Sequence, residues 1–241
     1  KISKYMMANG YVLSPKSKSY HALDSFVYEY VNCGGTKDNL KIEINYMLRC
    51  HVLPVARREV RLPWNEEKLT VFSVAPLEIF ASKTVALLTR TAPRDLYDMH
   101  NMVKFGLFDE SEEAMLRKCV VFYSAIGSAQ PPEKFELNNI GNVSFRQIKR
   151  DLNSVLRKGE RFDLEFVQKE VKDYLTSVLV PTKEEKLFWK AFSEGNYYPD
   201  WVFGDSDEFR NVAKHPMALW KCRDKEEDKK TLDKDHEKRV Q

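Results

Sequence analysis

The sequence predicts an α+β protein, in which a mixed sheet with helices is followed by a helical region. Short runs before residue 75 alternate apolar and polar residues, which is the pattern of half-buried strands. After residue 75 the apolar residues recur three and four positions apart, which is the pattern of amphipathic helices. The chain is also 43% hydrophobic and 12% aromatic, a composition that excludes a disordered polypeptide.

The 241 residues are enough for one large domain or two small ones. We expect an α/β domain over residues 1–105 and a helical domain with a charged C-terminal tail over residues 106–241. No run of about 18 apolar residues is present, so we expect no membrane-spanning helix and no membrane partner. The chain opens on Lys1 inside a predicted helix, and we expect further residues before it.

Two strands joined by a glycine-containing turn are predicted near the N-terminus. Ser25–Val31 places three aromatic side chains on one face, and Leu40–Leu48 alternates in the same way. The residues between them, with Gly34 and Gly35 at their centre, are typical of a turn. The two runs therefore predict a β-hairpin, which follows a short helix that ends near Gly10.

Prolines and capping signals mark the predicted helices, which follow a third short strand at Leu69–Val74. Pro76 and Pro93 stand in the first turn of two helices, where proline is tolerated. Three capping boxes open later helices, at Asp109 with Glu112, Ser144 with Gln147 and Thr182 with Glu185. We expect the second of these helices to end at Gly159, and residues 224–241 to form an exposed helix or a frayed tail.

The net charge and the cysteine positions bear on the partners of the protein and on its redox compartment. The net charge is +3 with basic and acidic residues interleaved, which alone does not indicate a nucleic-acid partner. The cysteines are widely spaced, and none has metal-ligand spacing to another cysteine or to a histidine. They are Cys33, Cys50, Cys119 and Cys222. We expect free, buried thiols in a reducing compartment, and therefore a cytoplasmic protein.

Glu43 is the first candidate site residue. It lies on the predicted strand Leu40–Leu48, on a polar face that it shares with Lys41 and Asn45. This face either is exposed to solvent or presents a carboxylate on the floor of a sheet, as a metal ligand of a phosphoryl-transfer enzyme. The strand by itself does not decide between these two interpretations.

The second candidate group lies on the two helices that follow residue 75. Lys83 and Arg90 fall two turns apart on one helix face, a geometry suited to a polyphosphate. On the next helix Asp95 and Asp98 are three residues apart and can point at one spot, while Arg94 can pair with Asp98. The alternative is a set of surface ion pairs, each of which contributes about 0–1 kcal/mol.

A longer motif runs along these two helices. It reads Lys83-x-x-Ala86-Leu87-x-x-Arg90-x-x-x-Arg94-Asp95-x-x-Asp98. The strand segment at 41–44 precedes it at a fitting distance, and two further segments follow at 198–203 and 215–221. Together these features resemble the AbiEii/AbiGii nucleotidyltransferase toxin family. The resemblance spans nearly the whole chain and is most specific in the stretch from the lysine to the RDxxD sequence.

The resemblance implies a nucleotidyltransferase-like fold and the transfer of a nucleotide from an NTP to RNA, with tRNA as the expected acceptor. It also implies Mg²⁺ as the cofactor and a cognate antitoxin as a partner. Proteins of this family are toxins of type IV toxin–antitoxin and abortive-infection systems, so growth arrest or phage defence is the expected biological role.

The roles of individual residues follow from the resemblance alone. The expected catalytic residues are Glu43, Lys83 and Asp98, and the expected nucleotide-binding residues are Lys83, Arg90, Arg94 and Asp95. Glu43 would be a metal ligand or the base on the incoming hydroxyl, and Lys83 would neutralise charge on the triphosphate. Asp98 would position Lys83 or the nucleotide. Asp95 could instead favour its own helix, as an acid in the first turn.

One part of the family pattern is missing from the sequence. The first motif of the family, a Gly-Ser turn followed by two aspartates that hold metal ions, is expected upstream of Lys1. The Gly34-Gly35-Thr36 segment is not followed by a Ser-x-Asp pattern, and we interpret it as the hairpin turn. The alternative to an enzyme is a non-catalytic member of the same fold that binds a nucleotide or a partner.

Three further groups have structural as well as functional interpretations. A basic cluster between the second and third strands is either a solvated loop or an RNA-binding rim. It consists of Arg57, Arg58 and Arg61. Four aromatic residues either form part of a core or stack on RNA bases. They are Trp189, Tyr197, Tyr198 and Trp201. His215, which precedes Pro216, either marks a helix boundary or belongs to a catalytic site, and we expect the helix boundary.

Overall fold

The computed structural model describes residues 1–21, 23–46, 50–60 and 69–223. The described chain divides into two units, Lys1–Arg49 and the residues from Cys50 onward. The predicted α+β class with a helical C-terminal region is confirmed, because all the described strands lie before residue 75 and helices follow. The domain boundary predicted near residue 105 falls inside the second unit, and the domain assignment stays a prediction.

The first unit consists of a helix and a four-stranded antiparallel sheet. Its elements are α1 (Ile2–Ala8), β1 (Val12–Leu13), β2 (Lys18–Ser19), β3 (Leu23–Val31) and β4 (Lys37–Asn45). Strand β3 is the centre of this sheet, since the other three strands all pair with it. Tyr28 of β3 is fully buried, and its hydroxyl lies 3.1 Å from Ser3 Oγ of α1.

The β3–β4 hairpin confirms the predicted pair of strands, although β4 begins three residues before Leu40. The turn between them needs Gly35, whose φ of 75° lies in the left-handed region that side chains disfavour. Asn32 Oδ1 accepts hydrogen bonds from the backbone amides of Gly34 and Thr36 at 3.0 and 3.1 Å. The Gly34-Gly35-Thr36 segment is therefore a turn, as predicted. The predicted end of the second strand at Leu48 lies outside the described residues.

The second unit begins with a two-stranded antiparallel sheet, β5 (Ala56–Val60) and β6 (Leu69–Ser73). Strand β6 confirms the third predicted strand. It pairs with β5 and not with β3 or β4, so the single mixed sheet expected from the sequence is replaced by two separate antiparallel sheets among the described residues. The sequence could not show this, because an apolar run predicts a strand without naming its partner.

Two residues of the basic cluster lie on a strand and not in a loop. Arg57 and Arg58 belong to β5, and Arg61 lies outside the described residues. The strand was missed because its side chains are mostly exposed, so its sequence lacks the alternation of a half-buried strand. Arg57 faces Phe72 of β6 in the register, and its guanidinium carbon lies 5.0 Å from the centre of that ring.

The rest of the described chain is mainly helical. The helices are α2 (Pro76–Arg90), α3 (Pro93–Lys104), α4 (Glu110–Gly127), α5 (Phe145–Asp151), α6 (Leu164–Val178), α7 (Lys183–Ser193), α8 (Asp200–Phe203) and α9 (Arg210–Ala213). Both predicted prolines open their helices, and all three predicted capping boxes form. Residues 216–223 are also helical, and the predicted charged tail at 224–241 lies outside the described residues.

Helix α5 is shorter than predicted. It ends at Asp151 and not at Gly159, and residues 152–155 form turns. Asn153 and Ser154 follow its end, and such side chains compete with helical backbone hydrogen bonds. The carbonyl of Asp151 accepts a 3.1 Å hydrogen bond from Nε of Arg94, which satisfies an acceptor that the helix end leaves open.

The core of the second unit is formed by the inner faces of its helices. Helix α2 packs against α3 and α4, α3 packs against α6, and α4 packs against α7. Leu87, Leu96, Phe122 and Phe188 are fully buried in this core. Burial of these faces leaves the charged faces of α2 and α3 on the outside. None of the helices in the described part of the chain is long and apolar enough to cross a membrane.

Candidate functional site

Two basic–acidic pairs join α2 to α3. Lys83 Nζ lies 2.5 Å from Oδ2 of Asp98, and Arg90 donates two hydrogen bonds of 2.7 Å to Asp95. The connection between the helices has only two residues, so the chain turns back at once and brings these positions opposite each other. Thr91 makes this turn with a φ of 53°, a left-handed conformation that is rare for a β-branched residue.

The Lys83–Asp98 pair is partly open to solvent. The side chains are 37% and 36% exposed, and Lys83 lies on the outer face of α2 that the sequence predicted. An ion pair at this exposure stabilises a fold by about 0–1 kcal/mol, because water competes for both charges. The pair is therefore better suited to hold an ammonium group in place for an anionic ligand than to stabilise the unit.

The Arg90–Asp95 pair is more strongly held. The Asp95 side chain is only 5% exposed, while that of Arg90 is 66% exposed. The carboxylate of Asp95 raises the pKa of Arg90, first through the two hydrogen bonds and then through its charge. Because a bidentate pair fixes the plane of the guanidinium, Arg90 presents its outer edge in one orientation. Asp95 also lies in the first turn of α3, where an acid favours the helix dipole.

Arg94 does not make the predicted contact. Within the described part of the chain it forms no ion pair with Asp98, which is bound to Lys83 instead. Its Nε donates to the carbonyl of Asp151 at the end of α5. Asp95 and Asp98 do not point at one spot either, since Asp95 binds Arg90 and Asp98 binds Lys83. The sequence spacing allowed all of these contacts, and the neighbouring helices selected among them.

Glu43 lies on β4 in the first unit. Ile42 and Ile44 are half-buried, whereas Lys41, Glu43 and Asn45 are exposed, so the predicted polar face is confirmed. Its carboxylate pairs with Lys41 Nζ at 2.7 Å. The predicted convergence of Glu43 with residues of α2 and α3, and its role as metal ligand or base, stay predictions.

Glu78 is a buried polar centre that sequence reasoning missed. Its side chain is 1% exposed. The carboxylate accepts hydrogen bonds from the backbone amides of Val52 and Leu53 at 3.0 and 3.1 Å and from the hydroxyl of Tyr123, and His51 Nδ1 lies 3.2 Å away. Three of these groups lie at Oε1 and one, the amide of Leu53, lies at Oε2. Glu78 thus fastens α2 to the segment at 51–53 and to α4.

A signal for this centre was present in the sequence. Buried positions on α2 recur every three residues, at Glu78, Ala81, Thr84 and Leu87. A glutamate that continues an apolar stripe indicates a buried carboxylate with dedicated donors, because an unpaired buried charge is very costly. Burial, and then the hydrogen bond and charge of Glu78, raise the pKa of Tyr123. Tyr123 therefore stays protonated as a hydrogen-bond donor.

The aromatic group divides into two pairs. Trp189 is buried, with its indole N–H bonded to a backbone carbonyl of α4, and Tyr197 is half-buried, with its hydroxyl bonded to a backbone carbonyl of α9. Tyr198 and Trp201 are exposed, and their ring centres lie 4.7 Å apart. The core interpretation therefore holds for the first pair, and the RNA-stacking interpretation stays a prediction for the second.

His215 marks a helix boundary, as predicted, because the helical residues 216–223 follow it directly. It is fully buried, with its ring centre 5.2 Å from that of Phe122. Neither ring nitrogen makes a hydrogen bond of ordinary geometry to a described residue. Burial lowers the pKa of His215, and the nearby backbone of Cys50 and carboxylate of Glu78 offset only part of that effect.

A metal site needs several donor side chains close together. Among the described residues, no three His, Cys, Asp or Glu side chains lie together in a group that could hold a metal ion. The four described cysteines are free, as predicted, although only Cys119 and Cys222 are buried. The described residues therefore do not by themselves fit a bound Mg²⁺, which would need further carboxylates beside Glu43, and the Mg²⁺ cofactor stays a prediction.

Two basic side chains on one helix, each held by an aspartate of the next, define a site suited to a phosphate-rich ligand. A family model described as the nucleotidyl transferase AbiEii toxin of type IV toxin–antitoxin systems matches residues 13–187. The match covers more than half of the chain and includes both pairs, so the protein belongs to this toxin family. Comparisons with curated proteins and with solved structures give no match.

Proposed function

We propose that this protein transfers a nucleotide from an NTP to an RNA acceptor, with tRNA as the acceptor, and that this transfer arrests growth. Membership of the nucleotidyl transferase toxin family supports the reaction class. The observation that supports a site is the Lys83–Asp98 pair, a half-exposed ammonium group on α2 held by an aspartate of α3. It supplies a positive charge where a triphosphate can reach it.

The reaction needs charge stabilisation more than covalent chemistry. A hydroxyl oxygen of the RNA attacks the α-phosphorus of the NTP, the bond from that phosphorus to the bridging oxygen breaks, and pyrophosphate leaves. The hydroxyl proton passes to a base, for which Glu43 is the predicted residue. Negative charge grows on the departing phosphates, and a fixed cation stabilises that charge in the transition state. Lys83 is the proposed cation.

Each aspartate has a positioning role in this proposal. Lysine has a flexible four-carbon stem, and fixing its ammonium group costs conformational entropy. Asp98 orders the ammonium group before the ligand binds, because it already holds Nζ at 2.5 Å, so ligand binding loses less entropy. Asp95 fixes the guanidinium of Arg90 in the same way, two turns further along α2. The two cations would thus contact different phosphates of one polyphosphate chain.

A label-transfer assay tests the proposal. The full-length gene product is incubated with Mg²⁺, total RNA and each α-labelled NTP in turn, and the label in RNA is measured. Lys83→Ala is expected to lower transfer about 100- to 1,000-fold, the usual effect of removing a transition-state charge stabiliser. Lys83→Arg, which keeps the charge, is expected to retain part of the activity.

Lys169→Ala is the matched control. It removes a helical Lys–Asp pair that is more exposed than the Lys83–Asp98 pair, Lys169 with Asp173 at 2.6 Å on α6. We expect it to transfer nucleotide and arrest growth as the wild type does. Full transfer and growth arrest by Lys83→Ala would reject the proposed role of Lys83. Nucleotide binding without any transfer by the wild type would favour the non-catalytic alternative.

A further inference from the structure

We infer that a basic surface formed by α5 and the segment after it binds the phosphate backbone of a single-stranded stretch of the acceptor RNA. We call residues 144–162, together with Lys104 and Phe105 at the end of α3, the α5 basic surface. The inference rests on the proposed function, in that it takes RNA to be the acceptor. It adds a place on the molecule where that RNA is held.

Positive charge is concentrated in this part of the chain. Residues 144–162 contain six basic and two acidic residues, a net charge of +4, whereas the whole chain has a net charge of only +3. The basic residues are Arg146, Lys149, Arg150, Arg157, Lys158 and Arg161. All six are exposed. The remainder of the protein is therefore close to neutral, and a polyanion would be drawn to this surface.

The two acidic residues of the segment do not neutralise it. Asp151 pairs with its neighbour Arg150 at 2.6 Å. Glu160 accepts hydrogen bonds from the hydroxyl of Tyr97 and the backbone amide of Arg157, at 2.9 and 3.3 Å. The five other basic side chains of the segment form no ion pair with any residue that the structure describes. They are free to contact phosphates.

Two neighbouring clefts lie on this surface, and we call them together the groove. A cleft of about 510 Å³ is lined by Phe145, Asn153 and the loop at 157–162. A second cleft of about 340 Å³ is lined by Tyr97, Asn101 and the end of α3. Both clefts contain Arg157, Lys158 and Glu160, so they adjoin at that loop. The groove thus leads from α5 along α3.

Exposed aromatic rings favour RNA over an acidic protein segment as the occupant. Phe145 lines the first cleft with 68% of its surface exposed, and Phe105 lines the second with 66% exposed. Lys104 Nζ lies 5.7 Å from the ring centre of Phe105. Cations for the backbone and open rings for the bases are the combination that single-stranded nucleic acid requires. An acidic peptide would need only the cations.

The groove also lies next to the proposed site. Asn101 in the second cleft is three residues after Asp98 on α3, so the two side chains are neighbours on one helix face. An RNA strand held in the groove would therefore pass within about one helical turn of the Lys83–Asp98 pair. This position connects the basic surface with the reaction proposed above.

Salt-dependent RNA binding tests the inference. Fluorescence anisotropy is measured with an end-labelled single-stranded RNA of about 20 nucleotides, at roughly 50 and 200 mM salt. The probe variant combines Arg157→Gln, Lys158→Gln and Arg161→Gln. We expect its affinity at low salt to fall at least about 10-fold, and the slope of log affinity against log salt to fall by about 2, since each phosphate contact contributes about 0.7.

The matched control removes the same charge elsewhere. It combines Lys183→Gln, Lys186→Gln and Lys190→Gln on the exposed face of α7. We expect its RNA affinity to stay within about 2-fold of the wild type. Phe145→Ala, which keeps every charge, is expected to weaken binding about 5-fold or more through lost base stacking. Thermal unfolding of each variant checks that the fold is retained.

Three results would overturn the inference. They are no RNA binding by the wild type, unchanged binding by the Arg157/Lys158/Arg161 variant, and an equal loss in the α7 control. The label-transfer assay separates this inference from the proposed function. A wild type that transfers no nucleotide but loses RNA affinity in the probe variant would contradict the proposed function and leave the surface supported. A wild type that transfers nucleotide, together with unchanged RNA affinity in the probe variant, would support the proposed function and contradict the α5 basic surface.

Discussion

The carboxylates of Glu78 and Asp98 lie on neighbouring helices and have opposite surroundings. Glu78 on α2 is 1% exposed and is bound by groups from two other parts of the unit, the segment at 51–53 and α4. Asp98 on α3 is 36% exposed and binds one lysine. Each carboxylate thus has close partners, several donors for Glu78 and one lysine for Asp98. Burial, and not the number of contacts, decides which of them the fold depends on.

The physical reason is the competition with water. Around Glu78 no water replaces a lost partner, so removal of the carboxylate leaves buried donors without acceptors. Around Asp98 water can solvate either charge, so the pair contributes little to stability and can exchange partners with a ligand. This contrast separates residues that maintain the helical unit from residues that are available for chemistry.

The largest effect is expected from Glu78→Leu. Two backbone amides and the Tyr123 hydroxyl would lose their acceptor inside the unit, and the free energy of unfolding should fall by about 3–5 kcal/mol. Urea unfolding measures this change. Tyr123→Phe, which removes a single donor, is expected to cost about 1 kcal/mol. A Glu78→Leu variant as stable as the wild type would remove the distinction between the two carboxylates.

A smaller effect is expected from Asp95→Asn, because its partner Arg90 can still reach water. Loss of the charge weakens two hydrogen bonds at a buried carboxylate, and the expected cost is about 1–2 kcal/mol. Asp151→Asn provides the comparison, since it affects the similar pair with Arg150 at a more exposed place. There we expect less than about 1 kcal/mol. Equal costs in urea unfolding would show that burial is not the deciding factor.

A pH-dependent effect is expected from His215. Burial lowers the pKa of this residue below its usual value of 6.5, so at acidic pH the unfolded chain binds a proton that the folded chain does not. Its contribution to stability is therefore complete above about pH 6.5 and is lost as the pH falls below that value. Urea midpoints at about pH 7.5 and 5.5 measure the loss, and His215→Leu should reduce it. If the urea midpoint of His215→Leu falls as much between these pH values as that of the wild type, the pH dependence comes from other groups.

The smallest effect on stability is expected from Lys83→Ala. The pair with Asp98 is half-exposed, so the free energy of unfolding should change by less than about 1 kcal/mol, although nucleotide transfer falls steeply. Urea unfolding of the Lys83→Ala variant measures this change in the free energy of unfolding. A loss as large as that of Glu78→Leu would mean that Lys83 maintains the fold and would leave its catalytic role without support.

Local signals in the sequence predicted most of the helices. The prolines of α2 and α3 and the capping boxes of α4, α5 and α7 all lie where they were predicted, because such signals act through the backbone of a few adjacent residues. The end of α5 and the strand β5 were missed. The strand depends on a partner distant in the chain, β6. The end of α5 coincides with Asn153 and Ser154, whose competition with helical hydrogen bonds the apolar spacing does not show.

The sequence by itself determined the fold class, the β3–β4 hairpin with its glycine turn, and the family of the protein. Spacing along a helix placed Lys83, Arg90, Asp95 and Asp98 within reach of one another. Only the tertiary structure decided which cation each aspartate binds and that Glu78 has its donors inside the unit. Periodicity defines the face of an element, but the partner of a charged group depends on which other elements pack against that face.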